Sequence, residues 1–271
     1  MFELEALVDE ILGSSPGVFC AVAVKWPNGA EYFHDADRQL HPASTIKVAL
    51  MVSVFRMIDE GLLAMDEHLL VQNRFDSLVH GRTFSVDQES DSDSDLYSLS
   101  GRALSIWNLT FRMIRVSSNL ATNLLLERVG AARVARDLEA LGIADLALKR
   151  GMDDTPALEQ GVINLASARG LVQLASSIQS DRAASPRSCY LMRQAMFLVQ
   201  HPFGLAAAAT DGWGVAHKPG WITKHYHNFG MLYAPDSTPT LLAVMTKGLE
   251  DEPAREAVAS IARLVRKLGA P

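Results

Sequence analysis

Long apolar runs, basic clusters and cysteines are all scarce in this sequence, and each scarcity excludes something. No stretch reaches the eighteen or so apolar residues that cross a bilayer, so no membrane partner is expected. The opening Met1-Phe2-Glu3-Leu4-Glu5-Ala6-Leu7 carries acids where a secretory leader carries Lys or Arg. The expectation is a cytoplasmic protein, although a mature secreted chain restarted with a new methionine would open the same way. Lys and Arg total 25 against 31 Asp and Glu, a net charge of −6, and no basic run interrupts the chain. That balance argues against a nucleic-acid partner. The 2 cysteines, Cys20 and Cys189, lie far apart and fit no metal-ligand spacing, so buried free thiols are expected.

What is present is a globular composition. With 271 residues, 48% of them hydrophobic, the chain can build a sizeable core in one or two domains. Residues 3–13 have helical periodicity ending at Gly13. Val18 to Trp26 reads as a strand, Pro27-Asn28-Gly29 as a turn, and residues 30–34 as the hairpin partner. From Ser44 to about Val199 the pattern is mostly helical, with helices expected at 44–60, 102–115, 119–129, 131–141, 165–178 and 186–199. Strand patterns return at 213–223, 227–234 and 240–247, joined by short loops that imply antiparallel neighbours. Pro253 begins a last amphipathic helix ending in Arg263, Arg266 and Lys267. Strands at both ends with helices between them predict an α/β (α+β) fold. One antiparallel sheet would be completed from both termini by residues 1–43 and 200–271, around an inserted helical part, 44–199.

Ser44-Thr45-Ile46-Lys47 carries the first chemical signal. Residues three apart share a helical face, so a hydroxyl and an amine become neighbours. A serine needs a base to become a nucleophile, and a lysine serves if burial lowers its pKa. The run Val48-Ala49-Leu50-Met51-Val52-Ser53-Val54-Phe55 is apolar on nearly every face, as in a helix at the centre of a domain. Two later segments add to it: Ser117-Ser118-Asn119, opening the helical run from Leu120, and Lys218-Pro219-Gly220 before Trp221.

Together these three segments resemble the Ser-x-x-Lys, Ser-Asp-Asn and Lys-Thr-Gly motifs of class A β-lactamases and penicillin-binding proteins. Order and context agree: a buried helix, a helix junction and a strand near the end. The resemblance covers nearly the whole chain and implies a β-lactamase/transpeptidase-like fold, a five-stranded antiparallel sheet flanked by the terminal helices. It implies Ser44 as the acylated nucleophile, Lys47 as its activator and Ser117 as the proton donor to the leaving group. Asn119 would hold Lys47 and the substrate amide. Lys218 would anchor a substrate carboxylate and help keep Lys47 neutral, and the backbone N–H groups of Ser44 and Trp221 would form the oxyanion hole. Gly220 would leave room for substrate along the strand. Pro219 stands where the family has Thr, which places it on an edge or facing the cleft; Ser118 stands where the family has Asp. Asn119 has a plainer reading as a helix cap.

The resemblance weakens between Arg150 and Asn164. Class A enzymes carry a deacylating glutamate there, within Glu-x-x-x-Asn, and no such spacing occurs. With Arg150 as the opening arginine, the glutamate position falls at Met152. Asp153 beside it is the first candidate for a substitute base and Glu159 the second.

The implied activity is a serine hydrolase acting on a small molecule, a β-lactam or another amide or ester, with slow deacylation. The alternatives are a penicillin-binding-type D-Ala peptidase or transpeptidase, or an esterase, and thirdly a non-catalytic relative. No cofactor or metal is expected: His217, His225 and His227 lie close but have no acid or cysteine at ligand spacing, and read as cleft-wall or loop residues. The acidic segment Asp87–Asp95 reads as a solvated loop, without the glycine and terminal glutamate of an EF-hand. Tyr97 would lie on the cleft rim. Trp213 and Trp221 read as packing residues, with the Trp221 ring lining the pocket.

Overall fold

The computed structural model of the chain describes residues 2–269. Five strands form its sheet: β1 (Phe19–Lys25), β2 (Glu31–His34), β3 (Gly214–Ile222), β4 (His225–Tyr233) and β5 (Thr240–Lys247). Their order is β2-β1-β5-β4-β3, antiparallel throughout. β1 pairs with β5 from Phe19 opposite Lys247 to Lys25 opposite Leu241, so the two ends of the chain close one sheet. Both faces of β1 are buried: Phe19, Ala21 and Ala23 enter one core, Cys20, Val22 and Val24 the other. Burial on both faces is why this strand is an unbroken apolar run rather than an alternating one.

The terminal helices α1 (Phe2–Gly13) and α8 (Asp251–Leu268) cover one face through Leu4, Val8, Val258, Ile261 and Val265. The other face carries α6 (Ala168–Gln179), packed on β1, β4 and β5. Beyond it α2 (Lys47–Asp59) runs through the helical body, touching α3 (Ile106–Arg115), α4 (Asn119–Val129), α5 (Ala131–Ala140) and α7 (Pro186–Phe197). Every residue of α2 from Lys47 to Phe55 is buried. At about 1.5–3 kcal/mol for each large apolar side chain, this packing anchors the helix that carries Lys47. The helical part and the sheet share one core, which runs from Ala21, Phe229 and Met245 to Leu50 and Ile114. The boundaries at 43/44 and 199/200 therefore divide the sequence without dividing the core.

Three expected helices begin later than their sequence suggests. Ala43–Ile46 is a 3-10 turn before α2. Residues 103–105 pair with His68–Leu70, and α3 starts only after Ser105, whose side chain caps it by accepting from the Asn108 N–H. Leu165–Ala166 pairs with Leu146–Ala147, and Ser167 caps α6. A tighter 3-10 turn in the first case, and a short strand pairing in the other two, captures backbone groups that helix propensity alone would assign to the first turn. No helix among the described residues is long and apolar enough to cross a membrane.

The acidic segment departs most from expectation. Asp91 and Asp93 are buried. Asp93 pairs with Arg112 at 2.7 Å. Asp91 accepts from the backbone N–H groups of Asn119 and Leu120 and from the Tyr97 hydroxyl, each at 2.9 Å. A carboxylate at the positive end of a helix explains this placement. It also turns the Tyr97 hydroxyl inward to Asp91, and the ring packs against the core.

Candidate active site

The turn that carries Ser44 is fixed from two sides. Ala43 has φ 48°, a left-handed conformation rare for a residue with a side chain, and Thr45 ties the turn down by donating its hydroxyl to the Pro42 carbonyl at 2.7 Å. From the other side β3 presses against it: a Cβ on Gly220 would lie 2.6 Å from the Ser44 nitrogen and 2.8 Å from that of Thr45. Gly220 is thus needed for contact between strand and turn, where the sequence reading gave its role as room for substrate. Pro219 lies in the edge strand β3, where its missing N–H is tolerated. Ser44 is half-buried and lines a cavity of about 390 Å³.

Lys47 is wholly buried behind Ser44. Its Nζ donates to the Ser117 carbonyl at 2.6 Å and to Asn119 Oδ1 at 2.7 Å, with Ser117 Oγ at 3.4 Å. Burial pulls its pKa down to about 7, against the opposing pull of Asp91 and Asp153. Lys218 is also wholly buried, and its Nζ donates to Ser117 Oγ and to the Pro219 carbonyl, both at 2.9 Å. One serine hydroxyl therefore lies between two buried amines. Two ammonium charges this close and this dry are unfavourable, and Lys218 is driven well below the usual lysine range by burial and by Lys47.

Ser117 has φ 65°, a left-handed residue at the helix junction. Asp91 grips the first two N–H groups of α4, and Ser118 Oγ caps the same helix by accepting from Ala121. With Ser118 as the cap, the Asn119 side chain is free to bind Lys47, and its Nδ2 reaches Asp153 Oδ2 at 3.4 Å. Asp91 was missed in the sequence because nothing in an alternating acidic run marks which carboxylate turns inward.

The loop from Arg150 to Asn164 is pinched at its base. Asn164 Oδ1 accepts from the N–H groups of Lys149 and Arg150, and its Nδ2 donates to the Arg150 carbonyl. Asn123 clamps Met152, accepting from its N–H at 2.8 Å and donating to its carbonyl at 2.9 Å. These bonds bring Met152 and Asp153 to the cavity wall. Asp153 is in the left-handed region, φ 62°, and its outer side is open to water. Loss of water on the cavity side of the carboxyl still raises its pKa, while Lys47 opposes the rise. Asp154 turns away to cap the helical turn Thr155–Glu159 and to accept from the Ser77 hydroxyl. Glu159 is exposed at the end of that turn and is not part of the cavity wall. Of the two candidate bases, only Asp153 is brought to the site.

The remaining candidates have structural partners. His217 shares a hydrogen bond with Asn228 at 3.1 Å, and His227 bridges the Thr246 N–H and the His41 carbonyl. Burial lowers both pKa values to about 4, so both rings are neutral. Among the described residues no three His, Cys, Asp or Glu side chains are grouped to hold a metal. Cys20 and Cys189 are buried free thiols. Trp213 lies under the Arg266 guanidinium, 5.5 Å from the ring centre. Trp221 lines the cavity and meets His201 edge-on at 4.8 Å.

This arrangement of sheet, central helix and paired Ser–Lys motifs defines a serine hydrolase of the β-lactamase/transpeptidase-like fold. The chain belongs to the β-lactamase enzyme family, whose model matches residues 3–268. It is similar to a β-lactamase from Sphaerobacter thermophilus at 25% identity and a TM-score of 0.84, covering 98% of this chain and 96% of that one. PBP-A superposes with a TM-score of 0.83 at 22% identity, over 99% and 96% of the two chains. A class A β-lactamase from Mycobacterium abscessus superposes equally well, 0.83, at 18% identity over 99% of each chain. Among curated proteins, none matches.

Proposed function

We propose that the protein forms an acyl-enzyme on Ser44 from a β-lactam or another small amide or ester, and releases it slowly. Uncharged Lys47 takes the Ser44 proton as Oγ attacks the carbonyl carbon. The N–H groups of Ser44 and Trp221 receive the developing oxyanion. Ser117 gives its proton to the leaving group, and the two lysines that flank it restore that proton. Hydrolysis then needs a water and a base, a role this reading gives to Asp153, whose place on the cavity wall supports it. The observation that carries this reading is Lys47, buried beside Ser117 and Asn119 with its pKa near 7, where an amine is a competent base.

Met152, standing where class A enzymes have their glutamate, favours a second reading as a penicillin-binding-type peptidase or transpeptidase. PBP-A is among the similar structures, and a leucine-to-glutamate variant of it is known as an acyl-enzyme with penicillin G. The test is labelling with a fluorophosphonate and a fluorescent penicillin, in wild type and Ser44→Ala. Fluorophosphonate labelling lost in Ser44→Ala, with the protein still folded, is expected. Labelling by neither probe would make the protein a non-catalytic relative, and labelling that persists in Ser44→Ala would remove Ser44 as the nucleophile.

A further inference from the structure

We infer that Ser77 and Asp154 are positioning residues for release of the acyl group: together they fix one neighbour of Asp153, as Asn123 fixes the other. This rests on the reading of Asp153 as the base for hydrolysis and names what holds that base in place.

Asp153 lines the cavity in a left-handed conformation, φ 62°. Among the described residues its carboxyl makes one hydrogen bond, a long one of 3.4 Å from Asn119 Nδ2. The direction of the carboxyl is therefore set by the backbone on either side of it. On one side the Asn123 amide holds both the N–H and the carbonyl of Met152, at 2.8 and 2.9 Å. On the other side Asp154 is buried, and its carboxylate accepts from the Ser77 hydroxyl at 2.6 Å, the Leu78 N–H at 3.3 Å and the Ala157 N–H at 3.1 Å. A buried carboxylate with its donors in place is costly to displace, so Asp154 is a fixed point of the loop.

Ser77 and Leu78 belong to a hairpin in which Phe75–Asp76 pairs with Thr83–Phe84. That hairpin is braced in its own right. Asn73 closes its base by exchanging two hydrogen bonds with the Val86 backbone, each at 2.8 Å, and the Phe75 and Phe84 rings pack 5.6 Å apart. Ser77 Oγ accepts from the Val79 N–H at 3.1 Å, which turns its hydroxyl proton toward Asp154. Phe84 seats against the loop as well, since a Cβ on Gly151 would lie 2.9 Å from its ring. The hairpin thus meets the loop at Gly151 and Asp154, on either side of Met152 and Asp153. None of the hydrogen bonds made by the Lys47 and Lys218 amines comes from it. Its influence falls on release of the acyl group more than on its formation.

The test follows acylation by p-nitrophenyl butyrate, and then release of the butyryl group, by timed intact-mass spectrometry. The proteins are wild type, Ser77→Ala, Asp154→Ala, Asp153→Asn and Ser77→Ala/Asp153→Asn. A misplacement of about 1 Å costs on the order of 10²-fold, and two N–H donors still hold Asp154 in Ser77→Ala, so its release is expected to slow by about tenfold. Acylation should change several-fold less. Asp154→Ala should slow release by more, and Ser77→Ala decides if that variant fails to fold. Asp153→Asn should slow release by about 10²-fold or more. Because Ser77 acts through Asp153, the double variant should release no more slowly than Asp153→Asn alone. Three results would overturn the inference while leaving Asp153 as the base: release unchanged in folded Ser77→Ala or Asp154→Ala, acylation and release slowed equally, or a further loss in the double variant. Release unaffected by Asp153→Asn would instead remove Asp153 as the base, and this inference with it. No butyryl adduct in wild type would overturn the acyl-enzyme reading that both rest on.

Discussion

At the scale of single residues, the site turns on the protonation of Lys47. A lysine held near pKa 7 by burial is charged below that pH and a base above it. Inactivation by a fluorophosphonate should therefore speed up as pH rises through about 7 and level off above it. Stopped-flow rates between about pH 5.5 and 9 measure this, and a flat profile would remove Lys47 from the role of base. Asn119 shows how a residue gains its function by being relieved of another. Ser118 takes the cap and Asp91 takes the backbone, so the Asn119 amide is left to hold Lys47.

Two elements position these groups, and each can be perturbed alone. The first is the contact of β3 with the turn that carries Ser44. Gly220→Ala would push a methyl group against the Ser44 and Thr45 nitrogens, backbone atoms that cannot swing aside. A displacement of about 1 Å at reacting atoms costs on the order of 10²-fold in rate, and acylation should fall by that much. An unchanged acylation rate would show that strand and turn separate without consequence. The second element is the loop held by Asn123 and Asn164. Because Asn123 clamps Met152 at the cavity wall, Met152→Glu should place a carboxylate over the acyl group and accelerate deacylation by about 10²-fold or more. Single-turnover release measured on the preformed adduct gives the answer, and equal release rates would refute the assigned frame of the loop.

For the whole molecule, the buried histidines set an acid limit. His41, His201, His217 and His227 are each lowered to about 4 from the ordinary 6.5, burial being the largest cause in every case. The unfolded chain binds protons at these sites below 6.5 while the folded chain does not, so folding stability falls as pH drops from 6.5 toward 4. Urea midpoints at about pH 7.5, 6 and 4.5 should decrease steadily, and equal midpoints would contradict the neutral-histidine picture.

Much of this architecture was legible in advance. The five strands and the central helix follow from apolar runs that local pattern makes visible, and the three motifs named Ser44, Lys47, Ser117, Asn119 and Lys218 before any geometry. What stayed hidden depends on contacts distant in sequence. Asp91 reaches α4 from 28 residues away, and Asn123 finds Met152 across 29. The edge-on contact of His201 with Trp221 exists only once β3 has folded beside the residues after α7. The helices expected from 44, 102 and 165 start later because a 3-10 turn intervenes at the first and short pairings with side-chain caps at the other two.

The central claim is an acyl group on Ser44 that leaves slowly for want of a well-placed glutamate. Timed intact-mass spectrometry after rapid mixing with p-nitrophenyl butyrate, with peptide mapping of the adduct, tests it most directly. General base catalysis is typically worth 10²–10⁴-fold, so the account predicts a butyryl adduct on Ser44 that survives for about a minute or longer. An adduct on another residue, or complete release within about a second, would contradict it.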